Sequence, residues 1–315
     1  MISVVRYSDD LRVIWDGFCR NAKNPLFIFE RNFMEYHKDR FQDHSLLFYD
    51  NDEVIAILPM NETSDELFSH AGLTYGGFIT NDRMKQHTMN ECLEALILYA
   101  RKKGFKGITY KAIPHIYHVQ PAEEDRYALF LNNAEIIKME PATVVKLSDP
   151  LKMPKGRKAQ ISRAKREGVE VRILTDKKDF YQFMELENRV LGKYHDAQAV
   201  HSGDEMYLLY SFFPEAIHLY GAFQQKELIA GAIIYEYGQL IHTTYLAASD
   251  VARTNGALDL TIFTILNDYR DKKLWFDFGI SSENGGRLMN PGLIAQKEGF
   301  GGRTNIYDTW RIQVQ

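Results

Sequence analysis

The carboxylate of Asp277 sits in an otherwise apolar segment, KLWFDFGIS (273–281). In a strand, Leu274, Phe276 and Phe278 would share one face, and Trp275, Asp277 and Gly279 the other. A buried carboxylate must be paired or hydrogen-bonded. It could accept a proton from an attacking amine, or hold backbone N–H groups of the following loop. His242 and Thr244 share a face of the strand IHTTYLA (241–247). Histidine is the side chain best matched to proton transfer near neutrality, although a strand histidine also serves structure alone. The first half has a rough counterpart in FSHAGLTYGG (68–77), where His70 and Tyr75 stand beside Gly76 and Gly77. Glycines there would let a ligand approach the backbone closely.

Three further groups carry charge or polarity. Lys152, Lys155, Arg157, Lys158, Arg163, Lys165 and Arg166 crowd one short stretch without an acidic residue. Such a run is either a solvated helix face, with Arg163 and Glu167 paired at i,i+4, or a phosphate site. Arg157 and Arg163 are the choices for phosphate, because a guanidinium grips it bidentately. Arg253-Thr-Asn-Gly256-Ala257-Leu258 leads into a helix, whose free N–H groups suit a pyrophosphate; the alternative is an ordinary turn using Asn255-Gly256. KAIPHIYHVQPAEEDRYALF (111–130) supplies Lys111, His115, Tyr117, His118 and Gln120 after a strand end, as a polar acceptor pocket would. Pro114 and Pro121 break any helix that would align His115 and His118, so no metal site is expected. Ser202 and Glu205 read as a capping box, with His201 beside it as a loose site candidate.

The elements that must position these residues follow from periodicity. Ser8 caps a first helix through Leu11, Ile14, Trp15 and Phe18, and a second helix covers Glu30 to Phe41. SLLFYD and EVIAILPM make a hairpin around Asp50-Asn51-Asp52, and ELFSH and LTYGGFIT continue the sheet. Met89, Leu93, Leu96, Ile97 and Ala100 mark a helix ending at Gly104, followed by the strand GITYKAI. The order returns at 217–281: IHLYGAF and ELIAGAIIYEY about a turn, then QLIHTTYLAAS, then a helix with Leu258, Ile262, Leu266 and Tyr269, then KLWFDFGIS. DNDEVIAI (50–57) stands beside QQKELIAG (224–231). A repeat this long means a duplicated domain. The expected organisation is an N-terminal domain 1–148, a Pro- and Gly-bearing linker 149–156 and a C-terminal domain 157–315. Each is an α/β (α+β) unit with a mixed twisted sheet and flanking helices.

Composition sets the outer limits. The chain has 315 residues and a formal net charge of -4, against a coat of positive charge for nucleic acid. Nineteen Phe, 18 Tyr and 3 Trp furnish cores and a stacking cleft. Two cysteines, Cys19 and Cys92, fall in apolar helical patterns, so neither a disulfide framework nor a thiol nucleophile is expected. No apolar run nears the roughly 20 residues of a membrane helix, and no leader precedes the first helix. The expectation is a cytoplasmic chain without a membrane span; the oligomeric state stays open. Motifs for dinucleotides (G-x-G-x-x-G), P-loops, nucleophile elbows (G-x-S-x-G) and zincins (H-E-x-x-H) are missing.

The order HTTYLAASD, GALD, FDFGIS and NPGLIAQKEGFGG, with KGRKAQISRAKREGVEV before it, resembles the FemAB-like acyltransferases. These carry two GCN5-related N-acetyltransferase (GNAT) domains in one chain. The resemblance covers nearly the whole chain and implies tandem GNAT-like domains. It implies acyl or aminoacyl transfer from acyl-CoA (acetyl-CoA) or aminoacyl-tRNA to an amine of an envelope precursor, amino sugar or peptide. Direct attack would take place between the domains, with no tightly bound cofactor. A small-molecule or lipid-linked acceptor is implied, and tRNA as a further partner. It places Lys297 at the active site, offsetting charge on the acyl oxygen, with Asp277 and His242 as the other catalytic candidates. Arg253, Gly256, Ala257 and Thr244 would bind the donor. Arg157, Arg163, His70, Tyr75, Lys111, Tyr117 and His118 would bind the acceptor or its phosphates. The GNAT pattern (R/Q)-x-x-G-x-(G/A) ends here on Leu258. That departure keeps a second reading open: a non-catalytic GNAT pair binding a sugar, peptide or nucleic acid.

Overall fold

The computed structural model describes residues Ile2–Val314. They divide into two compact units: Met1–Pro141, Ser282–Met289 and Asn305–Gln315 in the first, and Ala142–Ser281 and Asn290–Thr304 in the second.

In the first unit, Ile2–Arg6, Leu46–Asp50, Glu53–Leu58 and Ile79–Thr80 form an antiparallel sheet. The hairpin turns at Asn51, which takes φ 55°, a left-handed value that Asn tolerates. A second strand group pairs Gly107–Lys111 with Glu66–Phe68 in parallel and with Thr309–Gln313 antiparallel. The helix Gln86–Lys103 stops at Gly104, whose φ of 85° only glycine adopts without penalty. It buries Met89, Cys92, Leu93, Leu96 and Ala100 against Leu46, Phe48, Ile55 and Ile108. Two local expectations are corrected. The helix expected over Glu30 to Phe41 is only Arg31–Met34; its Arg31 is drawn inward to Glu35 and Asp43, with the guanidinium over the Tyr7 ring. The first helix is Arg12–Arg20, preceded by a 3-10 turn at Asp9–Leu11. Ser8 makes no side-chain cap, donating instead to Asp10, and Ile14 lies on the exposed side.

The second unit holds a six-strand sheet in the order Glu170–Leu174, Ile217–Gln224, Glu227–Glu236, Leu240–Ala248, Trp275–Ile280 and residues 142–146. Its hairpin turns through Gln225 and Lys226, both left-handed at φ 50° and 71°, the twist that a two-residue loop requires. The helix Ala257–Tyr269 packs Ile262, Ile265 and Leu266 onto Ile234, Ile241 and Phe276. Each such buried side chain is worth roughly 1.5–3 kcal/mol. The basic stretch is the helix Lys155–Arg166, anchored by Ile161 and Ala164 beside Ala252, Ala257 and Leu260. Ser202 and Glu205 form the reciprocal capping box of the helix Gly203–Phe212. No helix among the described residues is long and apolar enough to cross a membrane.

Candidate active site

The strands Leu240–Ala248 and Trp275–Ile280 run parallel, but their pairing covers only Leu240–His242 against Trp275–Asp277. Beyond that point the ladder between them ends and both strands continue. Backbone N–H and C=O groups beyond such a parting lose their ladder partners and must be satisfied otherwise. Gly279, at φ 70°, bends the second strand, and a register shift falls between Asp277 and Ile280.

His242 and Asp277 meet where the pairing ends. His242 Nδ1 lies 2.9 Å from Asp277 Oδ2, and Asp277 Oδ1 accepts the Gly279 N–H at 2.8 Å. Asp277 is fully buried. The carboxylate therefore holds the loop that follows and the imidazole together. Thr244, further along, is half-buried, and its hydroxyl oxygen has no partner among the described residues.

Lys297 ends the helix Pro291–Glu298, which Asn290 caps by accepting the Leu293 N–H at 3.0 Å. The lysine is only 5% exposed. Its Nζ donates to the carbonyls of Gly279 at 3.0 Å and Ile280 at 2.7 Å. An ammonium has three donors, so two carbonyls leave one. Burial pushes its pKa down to about 8, against the pull of Asp277. The structure thus gathers His242, Asp277 and Lys297 around Gly279, where an added Cβ would lie 3.1 Å from His242 Cε1.

The same unit holds a cavity of about 580 Å³, lined among others by Arg157, Glu187, Leu246, Arg253, Gly256 and Leu293. Arg157 is ion-paired with Asp259, donates to the Gln296 carbonyl at 2.9 Å and stacks on Phe300. Arg253 lies over the Tyr194 ring at 4.2 Å and donates to the Ala248 carbonyl. Gly256 takes φ 82°, and a Cβ there would come within 2.5 Å of the Gln160 carbonyl oxygen. The N–H groups expected to face a pyrophosphate have internal acceptors: Ala252 O for Gly256 at 3.1 Å, and Asn255 Oδ1 for Ala257 at 3.0 Å. Arg163 pairs with Glu167 at 3.1 Å, donates to the Thr254 carbonyl and is exposed.

The first-half candidates lie in the first unit. His70 is 3% exposed, its Nδ1 has no partner among the described residues, and burial, then His37, pushes it down to about 3. It lines a cavity of about 590 Å³ with Arg12, Arg31, Glu35 and Asp43. Lys111 Nζ donates to the carbonyls of His70, Ala71 and Leu73, and burial lowers it to about 8. Tyr75 and Tyr117 pack at 4.4 Å between ring centres, with Tyr117 and Tyr307 hydroxyls 2.9 Å apart. His118 is buried, and burial followed by Arg126 takes it down to about 4.

Two polar groups of the second unit escaped the sequence reading. Ser281 is buried, its hydroxyl without a partner among the described residues, one residue beyond the carbonyl that holds Lys297. Glu187 is buried in the cavity wall. The signal for Glu187 was present, since it interrupts the helical stripe Phe180, Phe183, Met184, Val190.

Residues 155–284 match the model of the acetyltransferase (GNAT) domain. Three solved structures share the fold. FemX aligns with a TM-score of 0.69 at 11% identity, over 99% of this chain and 97% of its own. L-PGS from Bacillus licheniformis aligns at 0.62 and 14%, over 87% and 85%. A tandem GNAT protein from the clavulanic acid biosynthesis pathway aligns at 0.58 and 11%, over 100% and 99%. No curated protein matches the sequence.

Proposed function

We propose that this chain, a FemAB-like protein with the tandem GNAT fold, transfers an acyl or aminoacyl group to a primary amine by direct attack on the carrier's carbonyl. The observation that carries the reading is the buried Lys297 beside the His242–Asp277 pair, at the point where the two parallel strands part. There the carrier's carbonyl would lie along the open strand edge. The ammonium of Lys297 would oppose the negative charge that develops on the acyl oxygen, worth several kcal/mol in a dry site. His242, held by Asp277, would take the proton that the amine loses. Both cysteines are buried in the first unit, with thiols pushed up by burial, which supports a route without a thiol acyl-enzyme.

The internal bonding of the Gly256 and Ala257 N–H groups favours aminoacyl-tRNA over acyl-CoA as the carrier, because a CoA pyrophosphate would have to displace those bonds. The acceptor class, an amine of an envelope precursor, amino sugar or peptide, is carried over from the FemAB-like resemblance. The same bonding favours a second reading, a GNAT pair that binds without transferring. The test incubates the protein with radiolabelled acetyl-CoA or a mixture of aminoacyl-tRNAs, with amino-sugar and peptide amines as acceptors, and follows label in the acceptor. Label transferred by the wild type and lost in Lys297→Met supports catalysis. Donor binding without transfer to any amine would leave the binding reading.

A further inference from the structure

The helix Lys177–His195 turns one stripe toward the strands Glu227–Glu236 and Leu240–Ala248. Phe180, Phe183, Met184 and Val190 fill that stripe and are buried. Glu187 holds the position between them, where helical spacing asks for a hydrophobe. It is 6% exposed, no group donates to its Oε2, and no cation among the described residues pairs with it. Burial alone pushes its carboxyl up to about 7. Glu187 in turn adds to the rise of the Tyr245 hydroxyl, which burial chiefly takes to about 12 and which lies 2.6 Å from His201 Nδ1. A partnerless carboxylate in apolar surroundings costs several kcal/mol, and a hydrophobe in its place would be neutral or stabilising. A group of this kind calls for a role or a partner that the rest of the fold does not supply.

The partner has a place to arrive. Glu187 lines the cavity of about 580 Å³, whose wall mixes apolar side chains such as Val190, Leu246 and Leu293 with the polar Gln160, Asn290 and Gln296. Arg253 lies on the same wall and makes no ion pair among the described residues, whereas Arg157 is already paired with Asp259. The cavity therefore offers one buried carboxyl group and one guanidinium without an ion pair among the described residues to a single occupant.

We propose that Glu187 is an amine-recognition residue: its carboxylate accepts N–H bonds from a primary amine of the cavity's ligand, while Arg253 takes an anionic group of that ligand. The proposal rests on the acyl-transfer reading only for the amine's source, either the acceptor's nucleophile or the α-amino group of an aminoacyl donor. Two probe pairs separate the sources by calorimetry. Phosphoethanolamine with N-acetylphosphoethanolamine stands for an acceptor. Alanyl-amide-linked adenosine monophosphate with its N-acetyl form stands for a donor end. The free amine of one pair is expected to bind at least tenfold tighter than its N-acetyl partner in the wild type. Glu187→Gln keeps the side chain's size and is expected to narrow that preference to within about twofold, without a lower melting temperature. Equal binding within both pairs, no binding of either free amine, or a preference that survives in Glu187→Gln overturns the proposal. Should that variant not fold, the wild-type comparison and Glu187→Asp, expected to keep a weakened preference, still decide it. Amine preference with no transfer to any acceptor would sink the acyl-transfer reading alone; transfer without amine preference would sink this proposal alone.

Discussion

Lys297 is where residue-level chemistry is sharpest. Its two carbonyl partners mean that Lys297→Met removes charged hydrogen bonds as well as a cation. Hydrogen bonds to charged groups contribute about 1.5–3 kcal/mol, so the variant is expected to melt a few degrees lower. Its transfer rate per folded molecule should fall about a hundredfold or more, the range for losing one oxyanion donor. Calorimetry and single-turnover kinetics separate the two effects; an unchanged single-turnover rate would remove Lys297 from catalysis. The pH profile gives a second check. Burial holds Lys297 near 8, so its ammonium persists below that pH and is lost above it. The transfer rate is expected to decline as pH rises through about 8, and Lys297→Met should lack that limb. The unfolded lysine keeps its proton to near 10.5, so between about 8 and 10.5 the unfolded state binds more protons and stability rises with pH. Lys111, also lowered to about 8, adds to the trend with the same sign.

At the scale of elements, the site lies where the pairing between Leu240–Ala248 and Trp275–Ile280 ends, and left-handed Gly279 follows two residues beyond the last pair. Gly279→Ala must hold a left-handed backbone, at about 1–2 kcal/mol, and sets a methyl against His242. It is expected to lower both melting temperature and transfer rate. Gly292 is the control, because its Cβ would meet only Asn290 Oδ1 at 3.7 Å within a helix. Gly292→Ala should be neutral or slightly stabilising and leave turnover alone. Equal behaviour of the two variants would show that the bend at Gly279 does not position His242. The alternation of Asp277 with Phe276 and Phe278 was legible in the sequence, since a strand's period of two is local. Its partner His242 was legible only as a lone strand histidine, because 35 residues separate the two and the register that joins them is tertiary.

At the scale of the molecule, the second unit draws its last strand from residues 142–146, ahead of the expected linker at 149–156. Val144, Val145 and Lys146 pair with Asp277, Phe276 and Trp275. A fragment 142–315 is expected to retain that pairing, and a fragment 157–315 to lose it and expose Phe276. Circular-dichroism melting of the two fragments tests this: the shorter should unfold at a clearly lower temperature or fail to fold. Comparable melting would support the boundary read from the sequence.

The sequence by itself determined what depends on near neighbours: the two hairpins, the Gly104 stop, the capping box at Ser202 and the repeated element order. Periodicity and turn chemistry are properties of a few consecutive residues, and they read the same before and after folding. Tertiary structure decided which charges are spent and which are kept. Arg157 and Arg163 look alike in a basic run, yet one is packed on Phe300 and paired with Asp259 while the other lies exposed beside Glu167. Glu187 looks like one more helical glutamate until two strands cover it. The cost of a charge is set by the dielectric and by the partners around it, and both are supplied by segments distant in the chain.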